Sequence, residues 1–365
     1  MNQQADRMAS YLEARRTTSD TVRLSGWLLA FGVVFTAICT CTLVLILNGK
    51  PGGHLAEQAS AHASNVVNSS EASATEHGQP KRVVLLEVPA EFKTIQAAIH
   101  AAPTTDAVIR VAPGIYTESL SFEGKNIVLT SHDPKNPQVV KSTVIDGNRA
   151  EYVVNLEQTN TRQTVLTGFC ITNGSTGGIR ANGSMATISY NDITGNHGNS
   201  WVCGIRDANG AVENNNIFQN RGTDTGVGIR HCNGEIRGNR IFENYGGKYS
   251  YGIRDSHGMI VANQIYDNYR FPGLDDSPSG RGIFYCNGTI ANNRIYNNSG
   301  TNYGYGIKDC SGLIEGNVIT SNRGGIAGRG VSGCSGTIRL NTLEGNSHYG
   351  IDNCTTAVIS DNKFS

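Results

Sequence analysis

The sequence predicts an all-β fold, a single-stranded parallel β-helix solenoid, and three observations support this prediction. One phrase recurs between Gly204 and Asn346: Gly-Ile-Arg, a short polar step, then Gly-x-Ile-x-x-Asn-x-Ile-x-x-Asn. Its starts lie mostly 24 residues apart, with one interval of 30. Within each phrase the apolar residues stand singly, without the periodicity of an amphipathic helix. A fixed period of this length is typical of stacked repeat units, not of one globular core.

Each phrase is expected to form one coil of three short strands joined by tight turns, because Gly and Asn tolerate positive φ. Coils then stack at roughly 4.8 Å, so that equivalent residues form columns. Two inward columns are predicted: Ile236, Ile260, Ile290, Ile314 and Ile338, and Ile217, Ile241, Ile265, Ile295 and Ile319. Two amide ladders are also predicted: Asn215, Asn239, Asn263, Asn293, Asn317 and Asn341, and Asn220, Asn244, Asn268, Asn298, Asn322 and Asn346.

Cysteines share another column of the repeat: Cys232, Cys286, Cys310, Cys334 and Cys354. A disulfide framework fits poorly, because Ala208 and Ser256 fill the same column in other coils. A stack of small buried side chains is the favoured interpretation, since free Cys is among the most buried residue types. Zinc is not expected, because the chain has no Cys-x-x-Cys pair.

The composition and the amino-terminal segments predict a tethered protein. Among 365 residues, 30 basic and 30 acidic side chains give no net charge, which argues against a nucleic-acid partner. Residues 24–47 carry no charge and are long enough to form one transmembrane helix. Arginines precede this segment, so we expect residues 1–23 to be a cytoplasmic tail. Residues 48–82 are predicted to be a flexible linker, and residues 83–365 the β-helix domain on the periplasmic or extracellular side.

Three alternatives for residues 24–47 fit less well than a single-pass anchor. The segment is too long for the apolar core of a secretory signal. The residues before Cys39 do not match a lipid-attachment site, and a buried core helix is hard to reconcile with so long an uncharged run in a hydrophilic chain.

The first coils show a different pattern. A strand at Val83–Val88 is expected to lead into a short helix at Lys93–Ala101, with Ile95, Ala98 and Ile99 on one face. A buried strand at Ala107–Val111 and a strand around Tyr116–Leu120 follow the helix. A solenoid with an open end would expose bare backbone, so we expect this helix to cap the first coil.

These first coils carry a family resemblance. TIQAAI at Thr94–Ile99, IRVAPGIYTE at Ile109–Glu118 and TVIDG at Thr143–Gly147 resemble the amino-terminal cap and first coils of the pectin-lyase-like superfamily. The resemblance implies a right-handed parallel β-helix and activities or binding directed at polysaccharides. The later coils resemble repeats of its carbohydrate-binding and sugar-hydrolase branch. The matching residues are structural, and none of the superfamily's catalytic signatures is complete in this chain, so no catalytic residue is transferred.

One face of the predicted solenoid combines cations and aromatic rings. The first residue of each phrase is its opening Gly. The second residue after the opening Gly forms an outward column: Arg180, Arg206, Arg230, Arg254, Phe284 and Lys308. Beside it run Asp207, His231, Asp255, Tyr285 and Asp309, and the preceding turns carry Trp201, Tyr249, Tyr251, Tyr303, Tyr305 and Tyr349. Rings pack on sugar faces and guanidinium groups pair with carboxylates, so this face predicts binding of an acidic polysaccharide.

The residues expected to contact the polysaccharide are Arg206, Arg230, Asp255, Lys308, Trp201, Tyr249, Tyr251, Tyr303 and Tyr305. An enzymatic alternative is a lyase or hydrolase of uronic-acid glycans, with His231 or Tyr285 as acid or base and Arg254 stabilising an enolate-like charge. A third possibility is a face of compensating ion pairs without a glycan ligand, in a structural or accessory protein. The inserted segment Tyr269–Arg281 adds Asp275 and Asp276, a candidate site for Ca²⁺.

Overall fold

The structure, a computed structural model, describes residues 83–269 and 279–365. The predicted tail, anchor and linker, and the pair Asp275 and Asp276, lie outside the described residues. Within these ranges the chain forms a parallel β-helix with three long sheets, A, B and C, of 12, 11 and 10 strands. No helix in this part of the chain is long and apolar enough to cross a membrane.

Each complete coil contributes one short strand to each sheet, and neighbouring strands are parallel. Sheet A contains Val84–Val88, Thr105–Val111, Asn126–Ser131, Val165–Thr167, Thr187–Ser189, Val212–Glu213, Glu235–Arg237, Met259–Val261, Asn287–Ala291, Ser311–Glu315, Gly336–Arg339 and Ala357–Ser360. Sheet B contains Gly114–Thr117, Thr143–Asp146, Cys170–Thr172, Asp192–Thr194, Asn216–Phe218, Arg240–Phe242, Gln264–Tyr266, Arg294–Tyr296, Val318–Thr320, Thr342–Glu344 and Lys363–Phe364. Sheet C contains Leu120–Ser121, Tyr152–Asn155, Gly177–Arg180, Trp201–Arg206, Thr225–Arg230, Tyr249–Arg254, Ser279–Phe284, Tyr303–Lys308, Ala327–Ser332 and Tyr349–Asp352.

Two small sheets and two helices complete the described elements. One small sheet contains His197–Gly198, Arg221–Gly222 and Tyr245–Gly246, and the other contains Ser299–Gly300 and Arg323–Gly324. The helices are α1 (Ile95–Ala101) and α2 (Pro137–Ser142). The predicted strand around Tyr116–Leu120 is two strands, Gly114–Thr117 in sheet B and Leu120–Ser121 in sheet C, because the chain turns between sheets at this point.

Helix α1 begins two residues later than expected and is held at both ends by side chains of the next coil. Thr94 is extended and serves as the N-cap, its side chain accepting from the amide of Ala97. The Glu118 carboxylate accepts from the first two helical amides at 2.9 Å each. Lys125 Nζ donates to three carbonyl groups at the carboxyl end, at 2.7–2.9 Å. These contacts satisfy backbone groups that a short helix leaves without partners.

Both predicted isoleucine columns are confirmed. The sheet A register pairs each member of the first column with the next, from Ile236 to Ile338. The sheet B register does the same from Ile217 to Ile319. All ten side chains are 0% exposed. Burying each one stabilises the fold by about 1.5–3 kcal/mol, so these columns form the centre of the core.

The distance between coils is visible in a stack of rings on the outer side of sheet B. Phe218, Phe242, Tyr266 and Tyr296 lie in register with centroids 4.8–5.0 Å apart and planes within 4° of parallel. This repeat matches the spacing of paired strands. Equivalent residues therefore lie directly above one another, which is the condition on which the column predictions depend.

Both amide ladders are present and run through the interior. In the first, the side-chain oxygen of each Asn accepts from the backbone and side-chain amides of the Asn one coil before it, at 2.9–3.1 Å. Each side-chain amide also donates to a backbone carbonyl, such as Val212 O for Asn239. The structure extends the first ladder to Asn191 and Asn362 and the second to Asn196.

The cysteine column is a hydrogen-bonded ladder of buried free thiols, which agrees with the favoured interpretation. Cys310 Sγ accepts from the amide of Cys286 at 3.3 Å and donates to Lys308 O at 3.2 Å. Ser256 makes the same two bonds, accepting from Cys232 N and donating to Arg254 O, each at 3.1 Å. Burial raises the pKa of Cys232 to about 12, so this thiol stays protonated near neutral pH.

We expect Cys310→Ser to leave stability nearly unchanged, because Ser256 already performs this role in the same column. Cys310→Ala leaves the Cys286 amide buried without an acceptor and should cost about 1–3 kcal/mol. Urea denaturation followed by circular dichroism measures both variants. Equal losses for Ser and Ala would show that the thiol acts only through its volume.

Candidate ligand-binding face

The outward side chains of sheet C form a surface that we call the cation face. The first row, adjacent in register, is Arg180, Arg206, Arg230, Arg254, Phe284, Lys308, Ser332 and Asp352. The second row is Cys203, Val227, Tyr251, Arg281, Tyr305, Arg329 and Tyr349. The third row is Trp201, Thr225, Tyr249, Ser279, Tyr303 and Ala327. Sheet C therefore brings the predicted cations and rings onto one surface.

Cations and rings on this face pack against each other. The Arg230 and Arg254 guanidinium groups lie 4.5 and 4.6 Å from the centroid of Trp201. Arg254 also lies 4.8 Å from the centroid of Tyr251. Such contacts are attractive because the ring face carries negative charge density. The rings hold the guanidinium groups in place, so part of each ring is covered by the protein's own arginines.

Two of the predicted sugar-stacking residues need correction. Tyr251 and Tyr305 are only 2% and 4% exposed, so their ring faces are not open to a sugar. They stand in the second row, where cations of the same strand and of neighbouring coils cover them. Burial raises the pKa of both phenols, against the opposing effect of nearby arginines. Tyr249, at 37% exposed, is the more accessible ring of that group.

Two cations of the second row, Arg281 and Arg329, were not predicted from the sequence, and Arg281 makes more ring contacts. Its guanidinium lies 4.4 Å from the centroid of Phe284 and 5.2–5.9 Å from those of Tyr251, Tyr249 and Tyr305. Its Nη1 donates to Tyr251 Oη at 2.6 Å, and its buried Nε has no hydrogen-bond partner. The residue immediately before each opening Gly shares one row, and comparing that position between repeats would have revealed Arg281 and Arg329 together.

Ion pairs compensate part of the positive charge. Five cations of the first two rows contact carboxylates: Arg206 with Asp207, Arg230 and Arg254 with Asp255, Lys308 with Asp309, and Arg329 with Asp352. The Nε atoms of Arg206 and Arg329 lie 3.0 and 2.8 Å from a carboxylate oxygen without an aligned hydrogen bond. Among the described residues, Arg180 and Arg281 contact no carboxylate. Five of the seven cations in these rows are therefore paired with a carboxylate.

Two of the three candidate catalytic residues, His231 and Arg254, meet at the carboxylate of Asp255, and Tyr285 lies apart from them. His231 lies between two carboxylates, with Nδ1 3.2 Å from Asp207 and Nε2 3.4 Å from Asp255. Arg254 Nε binds the same Asp255 at 3.0 Å. Tyr285 lies one coil beyond Asp255 in the column of Asp207, His231, Asp255, Tyr285 and Asp309, which we call the turn column. It is 54% exposed, and its ring is edge-on to Phe284. No hydrogen bond joins His231 and Tyr285 in the described part of the chain.

An open pocket of about 410 Å³ lies beside the carboxyl-terminal half of the cation face. It is lined by Tyr285, Asn287, Asp309, Cys310, Ser311, Gly333 and Ser335. Tyr285 and Asp309 of the turn column were singled out from the sequence, whereas Asn287, Ser311 and Ser335, each two positions further along, were not. The described ranges contain no group of three or more His, Cys, Asp or Glu side chains placed to hold a metal ion, and the calcium prediction concerns residues outside them.

The central coils match a known protein family model. Residues 177–336 match a family model described as a right handed beta helix region. No curated protein matches the sequence. The matched coils carry most of the cation face and both ladders. The repeat, the stacked coils and this match together confirm the expected fold, which is a right-handed parallel β-helix.

Proposed function

We propose that the chain binds an acidic polysaccharide along the cation face. The observation that supports this most is the charge imbalance in its rows. Seven cations lie there, namely Arg180, Arg206, Arg230, Arg254, Arg281, Lys308 and Arg329. The carboxylates paired with them are four, namely Asp207, Asp255, Asp309 and Asp352, which leaves a surplus of three positive charges. Stacked cations repel one another, and an anionic ligand relieves this repulsion.

Arg281 is the best-placed anchor for an anionic group. A guanidinium has five N–H donors, and Arg281 uses one of them on Tyr251. The surrounding rings fix the plane of the group and reduce the entropy lost when a ligand binds. Its neighbours Arg254 and Arg329 are held on the same face by other contacts. A carboxylate at Arg281 would therefore meet a preorganised cation, able to pair through two parallel hydrogen bonds.

A polymer fits this face better than a small anion does. The first-row cations recur over coils about 4.8 Å apart, which makes a line of charge along the solenoid. A chain of uronic acids carries carboxylates at regular intervals and can contact several coils at once. Each additional contact adds to the affinity without a further loss of translational freedom.

The full-length protein should bind polygalacturonate or alginate, and binding should weaken as salt is added, since exposed charges are screened. Arg281→Gln should lower the affinity by about tenfold, because one charge-assisted pair is lost. Affinity electrophoresis in gels containing the polymer, with neutral dextran as reference polymer, measures the effect.

The matched control is Arg237→Gln, which removes an exposed arginine from sheet A, outside the cation face. This variant should bind as the unchanged protein does. Absence of retention by every acidic polymer, or equal losses for both variants, would contradict the proposal.

The enzymatic alternative has less support from the geometry. Both ring nitrogens of His231 are occupied by carboxylates, and Tyr285 is not hydrogen-bonded to it. Incubation with uronic-acid polymers decides between the alternatives. New absorbance of unsaturated uronate that His231→Ala or Tyr285→Phe abolishes would favour a lyase, whereas retention without product favours a binding protein. A face that neither binds nor cleaves these polymers would favour a structural or accessory role.

The predicted anchor and cap belong to the same proposal. Residues 24–47 would hold the solenoid on the outer side of a membrane, and residues 48–82 would give it reach. Helix α1 contacts the strands Val84–Val88, Thr105–Val111 and Leu120–Ser121, which supports a role in closing the amino-terminal end. Membrane fractionation of the full chain tests the anchor.

A further inference from the structure

The open pocket beside Tyr285 exists because one side-chain column changes along the solenoid. The turn from sheet C to sheet A carries Asp207, His231, Asp255, Tyr285, Asp309 and Gly333 in successive coils. All six have positive φ, between 50° and 62°. Asp207, His231 and Asp255 come from three successive coils, and His231 fills the space between the two carboxylates. At Gly333 the column has no side chain at all, and the pocket opens between there and Tyr285.

The space at Gly333 is bounded by Asp309. A Cβ on Gly333 would lie 2.4 Å from Asp309 Oδ1, so a side chain there would displace the carboxylate. Asp309 is held in turn by Lys308 Nζ, at 2.8 and 3.0 Å from its two oxygens. The pocket therefore presents a fixed carboxylate whose charge is already balanced, and its other lining residues carry no charge.

The remaining lining groups are hydrogen-bonding side chains and one accessible ring. Ser311 Oγ donates to Asn287 Oδ1 at 2.9 Å, which orients the Asn287 amide and leaves its two N–H donors free of protein partners among the described residues. Ser335 adds a hydroxyl. Tyr285 is 54% exposed and forms one side of the pocket. A volume of about 410 Å³ lies within the range of pockets that bind small molecules, about 300–1,000 Å³.

We propose that this pocket is a second binding site, for a neutral sugar ring. The Asp309 carboxylate would accept a hydrogen bond from one hydroxyl group of the sugar, and the Asn287 amide would donate one to an adjacent hydroxyl group. The apolar side of the sugar ring would pack against Tyr285. A neutral ligand fits because the only charged lining residue, Asp309, is compensated by Lys308. This site does not depend on the acidic polymer proposed for the cation face.

The test uses the full-length protein and four probes: the methyl glycosides of glucose, galactose and mannose, and N-acetylglucosamine. Saturation-transfer NMR identifies which probe binds, and isothermal titration calorimetry gives its affinity. Tyr285→Asn removes the ring but keeps a residue that accepts positive φ, and it should weaken binding by about tenfold or more. Tyr285→His should weaken binding to a similar extent, because histidine can bridge Asp255 and Asp309 as His231 bridges its own neighbours.

Leu340→Asn is the matched control. Leu340 has the same φ as Tyr285, 57°, and the same exposure, 54%, but lies on a different turn. It should leave sugar binding unchanged. The proposal is wrong if no probe binds, or if Tyr285→Asn and Leu340→Asn bind the sugar equally well. Arg281→Gln should retain sugar binding and Tyr285→Asn should retain acidic polymer, so failure of one site is distinguishable from failure of the other.

Discussion

Asn239→Ala should destabilise the solenoid by about 3–5 kcal/mol, since each buried group left unsatisfied costs about 1–3 kcal/mol. Asn239 Oδ1 accepts from both the backbone and the side-chain amide of Asn215, each at 3.0 Å. Its own side-chain amide donates to Val212 O at 2.8 Å and to Asn263 Oδ1 at 3.0 Å. The site is 0% exposed, so water cannot replace these partners. Alanine removes all four bonds at once.

Thermal and urea denaturation followed by circular dichroism measure the loss, and hydrogen exchange locates it. Because stability in a solenoid depends on nearest-neighbour interfaces, the amides of the coils on either side should lose protection first. Asn199→Ala is the control, since Asn199 is exposed on a turn, and it should change stability by less than about 0.5 kcal/mol. Similar values for the two variants would mean that the ladder contributes little.

Gly252→Ala should have the next largest effect, about 3 kcal/mol of destabilisation, because overpacking in a close-packed core forces the backbone to move. A Cβ at this position would lie 2.4 Å from Ile265 Cγ2 and 2.7 Å from the carbonyl oxygen of Gly282. The isoleucine is a member of an inward column and the carbonyl belongs to the next coil of sheet C. Neither the isoleucine side chain nor the carbonyl group can move without disturbing the register of a neighbouring coil.

Gly114→Ala provides the comparison for this substitution. A Cβ on Gly114 would meet only the Tyr116 ring, at 3.4 Å, which is ordinary contact. This variant should lie within about 1 kcal/mol of the unchanged protein, since replacing Gly also reduces the entropy of the unfolded chain. Differential scanning calorimetry of the two variants decides the point: equal melting temperatures would show that the opening glycine of each repeat is not required by packing.

The interior of the solenoid could be predicted from the sequence because each inward position has one function in every coil. Ile260 and Asn263 occupy positions at which most repeats have the same residue. Ile260 fills a fixed interior space, and Asn263 forms hydrogen bonds with the equivalent Asn of the next coil, so the same residue type recurs from repeat to repeat. The predicted limits of the first coils were less accurate. Thr94 adopts an extended N-cap conformation, and the segment after Tyr116 changes sheet, which a pattern of apolar residues does not reveal.

The cation face could be predicted only in part, because outward positions differ between coils. Comparing equivalent positions identified the row of Arg206 and Arg254 correctly but gave no account of how deeply Tyr251 is buried. That burial depends on the length of the neighbouring arginine side chains. The pocket was missed because it arises from an absent side chain, at Gly333, and an absence leaves no signal in a search for chemically active residues.

The 30-residue interval of the repeat shows where this architecture can accept new sequence. Across the 30-residue interval, Asn263 donates to Asn293 at 2.9 and 3.0 Å, the same distances that the 24-residue intervals give. The additional residues fall between Gln264–Tyr266 and Ser279–Phe284, where sheet B passes to sheet C. The additional residues at this corner therefore leave the hydrogen-bond distances of the interior ladder unchanged. Grafting a foreign peptide there should produce a display scaffold whose inner framework is unaltered, at a corner adjoining Arg281.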